Sequence, residues 1–167
     1  MIPSLTALRE AMTAYLNARG LRALSAWPGT DRLVRAAPLA VVRMKEVEAA
    51  PLGFQNYLGR VWDEEAEQWR ERYGQRVAVA FALDLYSPRA DGEEGCRLLL
   101  DRAALAFQNG GPGGLAVEKW SMAEPAYDKA SGMFRGELTA CCQGTLEAVA
   151  DEEGSFLGFV VKGGLDT

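Results

Sequence analysis

Histidine is missing from this chain altogether: its 167 residues contain none. That absence removes the one side chain whose unperturbed pKa lies near neutrality, and with it Ser-His-Asp and Cys-His nucleophilic sites and His-ligated metal centres. Any acid or base left is a carboxylate, Lys, Tyr or Cys whose pKa would have to be moved by burial or a charged neighbour. Basic charge is also short. Eighteen Lys and Arg face 23 Asp and Glu, a formal net charge of −5, so no strong positive field exists to neutralise a phosphate backbone. Nucleic acid is not expected as a main partner. Cysteine is scarce as well, limited to Cys96, Cys141 and Cys142. The adjacent pair would point to opposite faces of a strand, and no Cys-x-x-Cys spacing offers tetrahedral ligands, so reduced, buried thiols are expected. No apolar window reaches the length of a membrane span, and the start at Met1 lacks a basic segment followed by an apolar one. The expectation is a protein made and kept in the cytoplasm, without a membrane partner.

What is present is ordinary globular material. A hydrophobic share of 49% suffices to bury a core without disulfides or metal. No internal repeat and no linker divides the chain, so residues 1–167 read as one domain.

Ser4 is placed to cap a first helix whose Leu5, Leu8, Met12, Tyr15 and Leu16 recur at helical spacing, with Gly20 as its stop. Residues 21–27, ending at Pro28-Gly29, and 39–47, after Pro38, read as a strand pair. The stretch 52–74 gives conflicting signals. Glu65, Trp69 and Tyr73 form an i, i+4 stripe and propensity favours a helix over 63–72, while Gly53, Gly59 and Gly74 speak for extended pieces and turns. The next run is plain: Val77, Val79, Phe81, Leu83 and Leu85 alternate with Ala78, Ala80, Ala82, Asp84 and Tyr86, a strand with a bulky core face. Its alanine face is smooth enough for a helix or a neighbouring subunit to approach.

Ser87-Pro88 ends that strand, and Asp91 followed by Glu94 resembles a capping box opening a helix to about Gln108, with Cys96, Leu99, Leu100, Ala103 and Phe107 inward. The glycine-rich stretch 109–114 leads from this helix into a strand over 115–122. A phosphate cradle needs the reverse order, strand into helix, so these glycines read as a helix stop and a tight return. From Met133 a long strand sets Phe134, Leu138, Ala140, Cys142 and Leu146 on one face and Arg135, Glu137, Thr139, Gln143 and Glu147 on the other. A turn at 151–154 joins it to an apolar strand over 156–161. The fold class is α+β: a mostly antiparallel sheet with two main helices packed on one face.

No catalytic, metal-binding or cofactor-binding residue follows from this pattern, and no enzyme is expected. The acids at 63–67 lack the spacing of a calcium loop, and those at 151–153 suit a solvated hairpin tip. Trp62, Trp69 and Tyr73, interleaved with Arg60 and Arg70 (and Arg72), are of the residue types enriched where protein surfaces anchor each other, which makes Arg60, Trp62, Trp69, Arg70 and Tyr73 a candidate subunit interface. The same residues fit a second role, covering one end of the core while the arginines pair with nearby glutamates.

In element order over nearly its whole length, and in three local features, the chain resembles the phage tail-terminator, or tail-completion, proteins of the kind carried by prophages. The features are Arg43-Met44-Lys45-Glu46 with the 53–59 stretch Gly-Phe-Gln-Asn-Tyr-Leu-Gly, the strand ending at 83–88 before a central helix, and Tyr127-Asp128 before the Met133 strand. The resemblance implies a structural subunit that forms a homo-oligomeric ring, commonly six-membered, capping the tail tube and meeting a head-tail connector. It implies assembly in the host cytoplasm and residence in the virion tail. It also implies that residues 64–86 are extended, with a break at Gly74, against the helical propensity. Rival readings are another neck, connector or tail subunit, and a small-ligand or peptide-binding module.

Overall fold

The computed structural model describes residues 1–29, 31–32 and 34–164. In chain order it contains α1 (Leu8–Ala18), β1 (Ala23–Leu24), β2 (Leu39–Pro51), β3 (Tyr57–Asp63), β4 (Gln68–Ser87), α2 (Glu94–Phe107), β5 (Ala116–Met122), β6 (Ala126–Asp128), β7 (Met133–Ala150) and β8 (Phe156–Lys162). Among the described residues all eight strands belong to one sheet, antiparallel except for β1 on β2, and both helices pack on the same face of it. This is the expected α+β architecture.

The sheet is organised by two long strands. β4 has 20 residues and β7 has 18, and their antiparallel register runs unbroken from Glu71↔Ala150 to Ser87↔Phe134. Shorter strands follow one another along each flank. β2 and then β3 pair with β4, while β6, β5 and β8 pair with successive stretches of β7. At about 3.3 Å per residue β4 is roughly 60 Å long. The helices, at about 1.5 Å per residue, are only about 16 and 21 Å long. They therefore cover part of one face, and the core lies there.

Within that part the period-2 pattern works as anticipated. Val77, Val79, Phe81, Leu83 and Leu85 are buried against Leu8, Met12 and Leu16 of α1 and Cys96, Leu99, Ala103 and Phe107 of α2, with Leu138, Ala140 and Cys142 beside them on β7. The Tyr15 hydroxyl ties the helices together by reaching the carbonyls of Ala106 (2.6 Å) and Gly110 (2.7 Å).

Several expectations are corrected. The 63–72 helix does not form: β3, a turn and β4 occupy that region, and β4 passes through Gly74 without a break. An i, i+4 stripe is also an even spacing, so Trp69 and Tyr73 share a face of a strand as readily as of a helix. The pair at 21–27 and 39–47 shrinks to Ala23↔Ala40 and Leu24↔Val41, in parallel. Arg22 helps turn the intervening chain back by donating to the carbonyls of Ala37 (3.1 Å) and Val34. β2 also runs on to Pro51. The Asp91 capping box is absent because Gly92, at φ 63, turns the backbone out of helical conformation, and α2 starts behind Glu93 without a side-chain cap. Ser4 Oγ accepts from the Ala7 N–H at 3.2 Å, one turn ahead of α1.

Gly144 of β7 gives a test of this packing. An added Cβ there would lie 2.2 Å from Leu115 Cδ2 and 2.5 Å from the Lys162 carbonyl oxygen, whereas at Gly158 nothing lies within 4 Å. Gly144→Ala is expected to destabilise the fold by about 1–3 kcal/mol and Gly158→Ala to change stability by less than about 0.5 kcal/mol, as read by urea unfolding.

Candidate assembly surface

Beyond the helices the sheet continues as an arm built from β3, the first part of β4, the end of β7 and β8. Side chains alternate across β4, so Trp69, Glu71 and Tyr73 lie on the same face as the buried Val77. The pairings Trp62↔Trp69, Arg60↔Glu71 and Tyr57↔Tyr73 put the β3 residues on that face too. Ala148↔Phe159 and Ala150↔Phe156 add two phenylalanines from β8, since Ala148 and Ala150 pair with Tyr73 and Glu71.

The result is an aromatic surface with internal order. Trp62 and Trp69 meet edge to face with ring centroids 5.4 Å apart, and Tyr73 meets Tyr57 at 5.5 Å and Phe156 at 5.3 Å. Such pairs fix the ring orientations. The Tyr73 hydroxyl donates to Glu71 Oε2 at 2.8 Å, and that carboxylate holds the phenol above its ordinary pKa. Arg60 Nη2 lies 3.7 Å from Glu71 Oε1. Yet the rings are not covered: Trp62 and Trp69 are each 46% exposed and Phe156 is 65% exposed. Large apolar side chains gathered on one exposed face make it a candidate interaction surface.

Of the candidate residues, Arg60, Trp62, Trp69 and Tyr73 share this face. Arg70 does not: it alternates to the opposite side and donates from Nε to Asp63 Oδ2 at 3.1 Å. Asp63 also organises the turn, its Oδ1 accepting from the Glu65 and Ala66 N–H groups, both at 3.1 Å. The Ala66 amide first, and Arg70 next, hold the Asp63 carboxyl below its ordinary pKa. The sequence reading missed Tyr57, Phe156 and Phe159. Their signal was the pairing register, which brings together residues about a hundred positions apart.

The opposite face of the sheet is polar and cross-linked. Asp84, only 3% exposed, accepts from Arg43 Nε at 2.5 Å, Arg43 Nη2 at 3.0 Å and Arg135 Nη2 at 2.7 Å. Glu137 accepts from Arg43 Nη2 at 3.0 Å and Lys45 Nζ at 3.1 Å. Burial opposes ionisation of Asp84, but its bonds to Arg43 and Arg135 outweigh burial, and its pKa falls below the ordinary value. This cluster clamps β2, β4 and β7 together. Further along the arm Glu147 does the same, binding Arg72 at 2.6 Å and Lys162 at 2.8 Å. Between the clusters lies the alanine face of Ala78 and Ala80, uncovered by any helix among the described residues.

Burial pushes the Cys96 thiol up to about 11 and the Cys142 thiol up to about 12, so neither supplies a thiolate at neutral pH. Among the described residues no group of three metal-capable side chains converges, and no helix is long and apolar enough to cross a membrane. An open cleft of about 710 Å³ lies between Arg9, Trp27, Arg43 and Tyr86.

The Asp84 cluster predicts a pH dependence. Asp84→Asn is expected to cost about 3 kcal/mol at neutral pH, near the low end for a broken buried ion pair because Arg43 and Arg135 remain partly hydrated. The folded pKa of Asp84 is depressed, so the wild-type advantage is complete above the unfolded aspartate value of roughly 4 and is lost as pH falls through the folded value. Urea unfolding of both chains across the acid range checks this.

No protein-family model and no curated protein matches this chain. The functional reading therefore rests on its own surfaces.

Proposed function

We propose that the chain is a structural assembly subunit that works by associating with copies of itself and with neighbouring virion proteins, in the manner of a phage tail terminator. In this reading copies join into a ring that caps the tail tube and offers its other side to a head-tail connector. Assembly takes place in the host cytoplasm and the ring ends in the virion tail. The single observation that carries the reading is the exposed aromatic face of the arm, where Trp62 packs on Trp69 and Tyr73 packs on Tyr57 and Phe156, without a covering element among the described residues.

Two arguments support it. Aromatic side chains exposed in this number cost solubility unless a partner buries them, and Trp and Tyr are the residues that dominate binding energy at such surfaces. In addition, the arm lies at one end of the molecule, where it is free to meet a different surface of a neighbouring copy. Heterologous contacts of that kind generate rings where the rotation between copies closes, and filaments where it does not.

Binding of a small ligand is the alternative, and the cleft lined by the packed Trp27 and Tyr86 rings together with Arg9 and Arg43 favours it. A cleft of that volume lies in the range of ligand sites.

Light scattering over a concentration series separates the two. Association that rises with concentration and weakens by about 30-fold in Trp69→Ala, the loss expected for an interface tryptophan worth about 2 kcal/mol, supports assembly. Trp69→Ala behaving as wild type, together with a thermal shift from small aromatic acids that is lost in Trp27→Ala, would support the cleft instead.

A further inference from the structure

The ends of the long strands differ in charge. At the start of β4 the 64–67 turn carries Glu64, Glu65 and Glu67, and the 151–154 turn beside it carries Glu152 and Glu153, none of them in an ion pair among the described residues. The basic groups of this end are engaged: Arg60 with Glu71, Arg70 with Asp63, and Arg72 and Lys162 with Glu147. The exposed aromatic face thus ends in an acidic tip.

At the other end of β4 the chain leaves Ser87 into a hollow of about 280 Å³ lined by Arg32, Arg35, Pro88, Arg89, Gly132 and Met133. Three guanidinium groups line it and, among the described residues, no carboxylate does. Asp128 is engaged by the Ser131 and Ala130 N–H groups of its own turn, and Asp31 accepts from the Val34 N–H. Asp91 is the acid left over in the neighbouring turn. Arg35 donates to the Ser131 carbonyl and lies over the Trp27 ring at 5.2 Å, yet its Nε is buried without an acceptor. A buried donor without a partner carries a desolvation penalty that an arriving acceptor relieves.

We infer that the acidic 64–67 turn at the tip of the arm docks into the Arg32, Arg35 and Arg89 hollow of a second copy of this chain, joining copies head to tail. This deepens the assembly reading and rests on it. A second copy is the occupant because the complementary charges lie at opposite ends of one chain, so every copy both offers the acidic tip and presents the hollow. Carboxylates match guanidinium donors in geometry as well as in charge, and the aromatic face behind the tip supplies the apolar burial that rim charges alone do not. Like ends repel, which disfavours the tip-to-tip arrangement.

A charge exchange tests this on the full-length chain. In sedimentation velocity over a concentration series, Arg32→Glu with Arg89→Glu is expected to weaken association by about tenfold or more, and Glu64→Lys with Glu65→Lys to do the same. An equimolar mixture of the two variants restores association to near the wild-type level, because each reversed end then finds its complement. Circular dichroism confirms that both variants keep the fold. Wild-type association that is indifferent to both reversals, or a mixture that stays apart, overturns head-to-tail docking while leaving the assembly reading in place. A wild-type chain that remains a single copy at every concentration overturns both. Inorganic phosphate binding that vanishes in the arginine variant, without any change in association, assigns the hollow to a free anion and also overturns the docking.

Discussion

Everything else in this molecule depends on the mismatch between a strand pair roughly 60 Å long and two helices that cover about a third of that length each. β4 and β7 keep one register from Glu71↔Ala150 to Ser87↔Phe134, so the sheet is continuous while its helical cover is not. The covered part buries Val77 to Leu85 on β4 and forms the core. The uncovered part must be stabilised by other means. It uses flanking strands, edge-to-face rings on one side and the Glu147 ion pairs with Arg72 and Lys162 on the other.

The two faces consequently have different work. On the helix side the character of the surface changes along β4 from aliphatic to aromatic, at the point where α1 and α2 stop covering it. On the reverse side Asp84 and Glu147 lock neighbouring strands through arginine and lysine. Ion clusters of this sort give register and specificity rather than large net stability. They leave the aromatic face of the arm as an exposed apolar surface that no element covers among the described residues. The proposed role in assembly follows from that imbalance, and the absence of histidine is consistent with it because shape-matched association needs no proton carrier.

Much of the core was legible from periodicity, because a strand with one buried face writes its pattern locally. Val77 to Leu85 and the even-numbered apolar residues of β7 were read correctly for that reason, as was the α2 stripe. The arm was not legible as an arm. Trp69 and Tyr73 are spaced by four, which satisfies both periods, and the turn before them places Glu67 at φ 52, a conformation usually announced by Gly or Asn. Asp63 was the available turn signal, since an Asp side chain readily accepts from amides two and three residues on. The chain there forms a turn over 64–67 and an extended strand over Gln68–Ser87, without a break at Gly74. Phe156 was read as a strand residue, but its contact with Tyr73 depends on a pairing register that no local pattern records. The candidate interface was thus found in part, through residue type rather than geometry, and Arg70 was assigned to it because its side of the strand was unknown.

Hydroxyl-radical footprinting with mass-spectrometric readout measures the central claim most directly, because it reports the solvent exposure of individual aromatic side chains. The account predicts that Trp62, Trp69 and Phe156 are oxidised readily in dilute protein and become protected as concentration rises, while Trp120, exposed on β5 outside the arm, stays equally reactive. Association that protects Trp120 or the Ala78–Ala80 face and leaves Trp62, Trp69 and Phe156 reactive would contradict it.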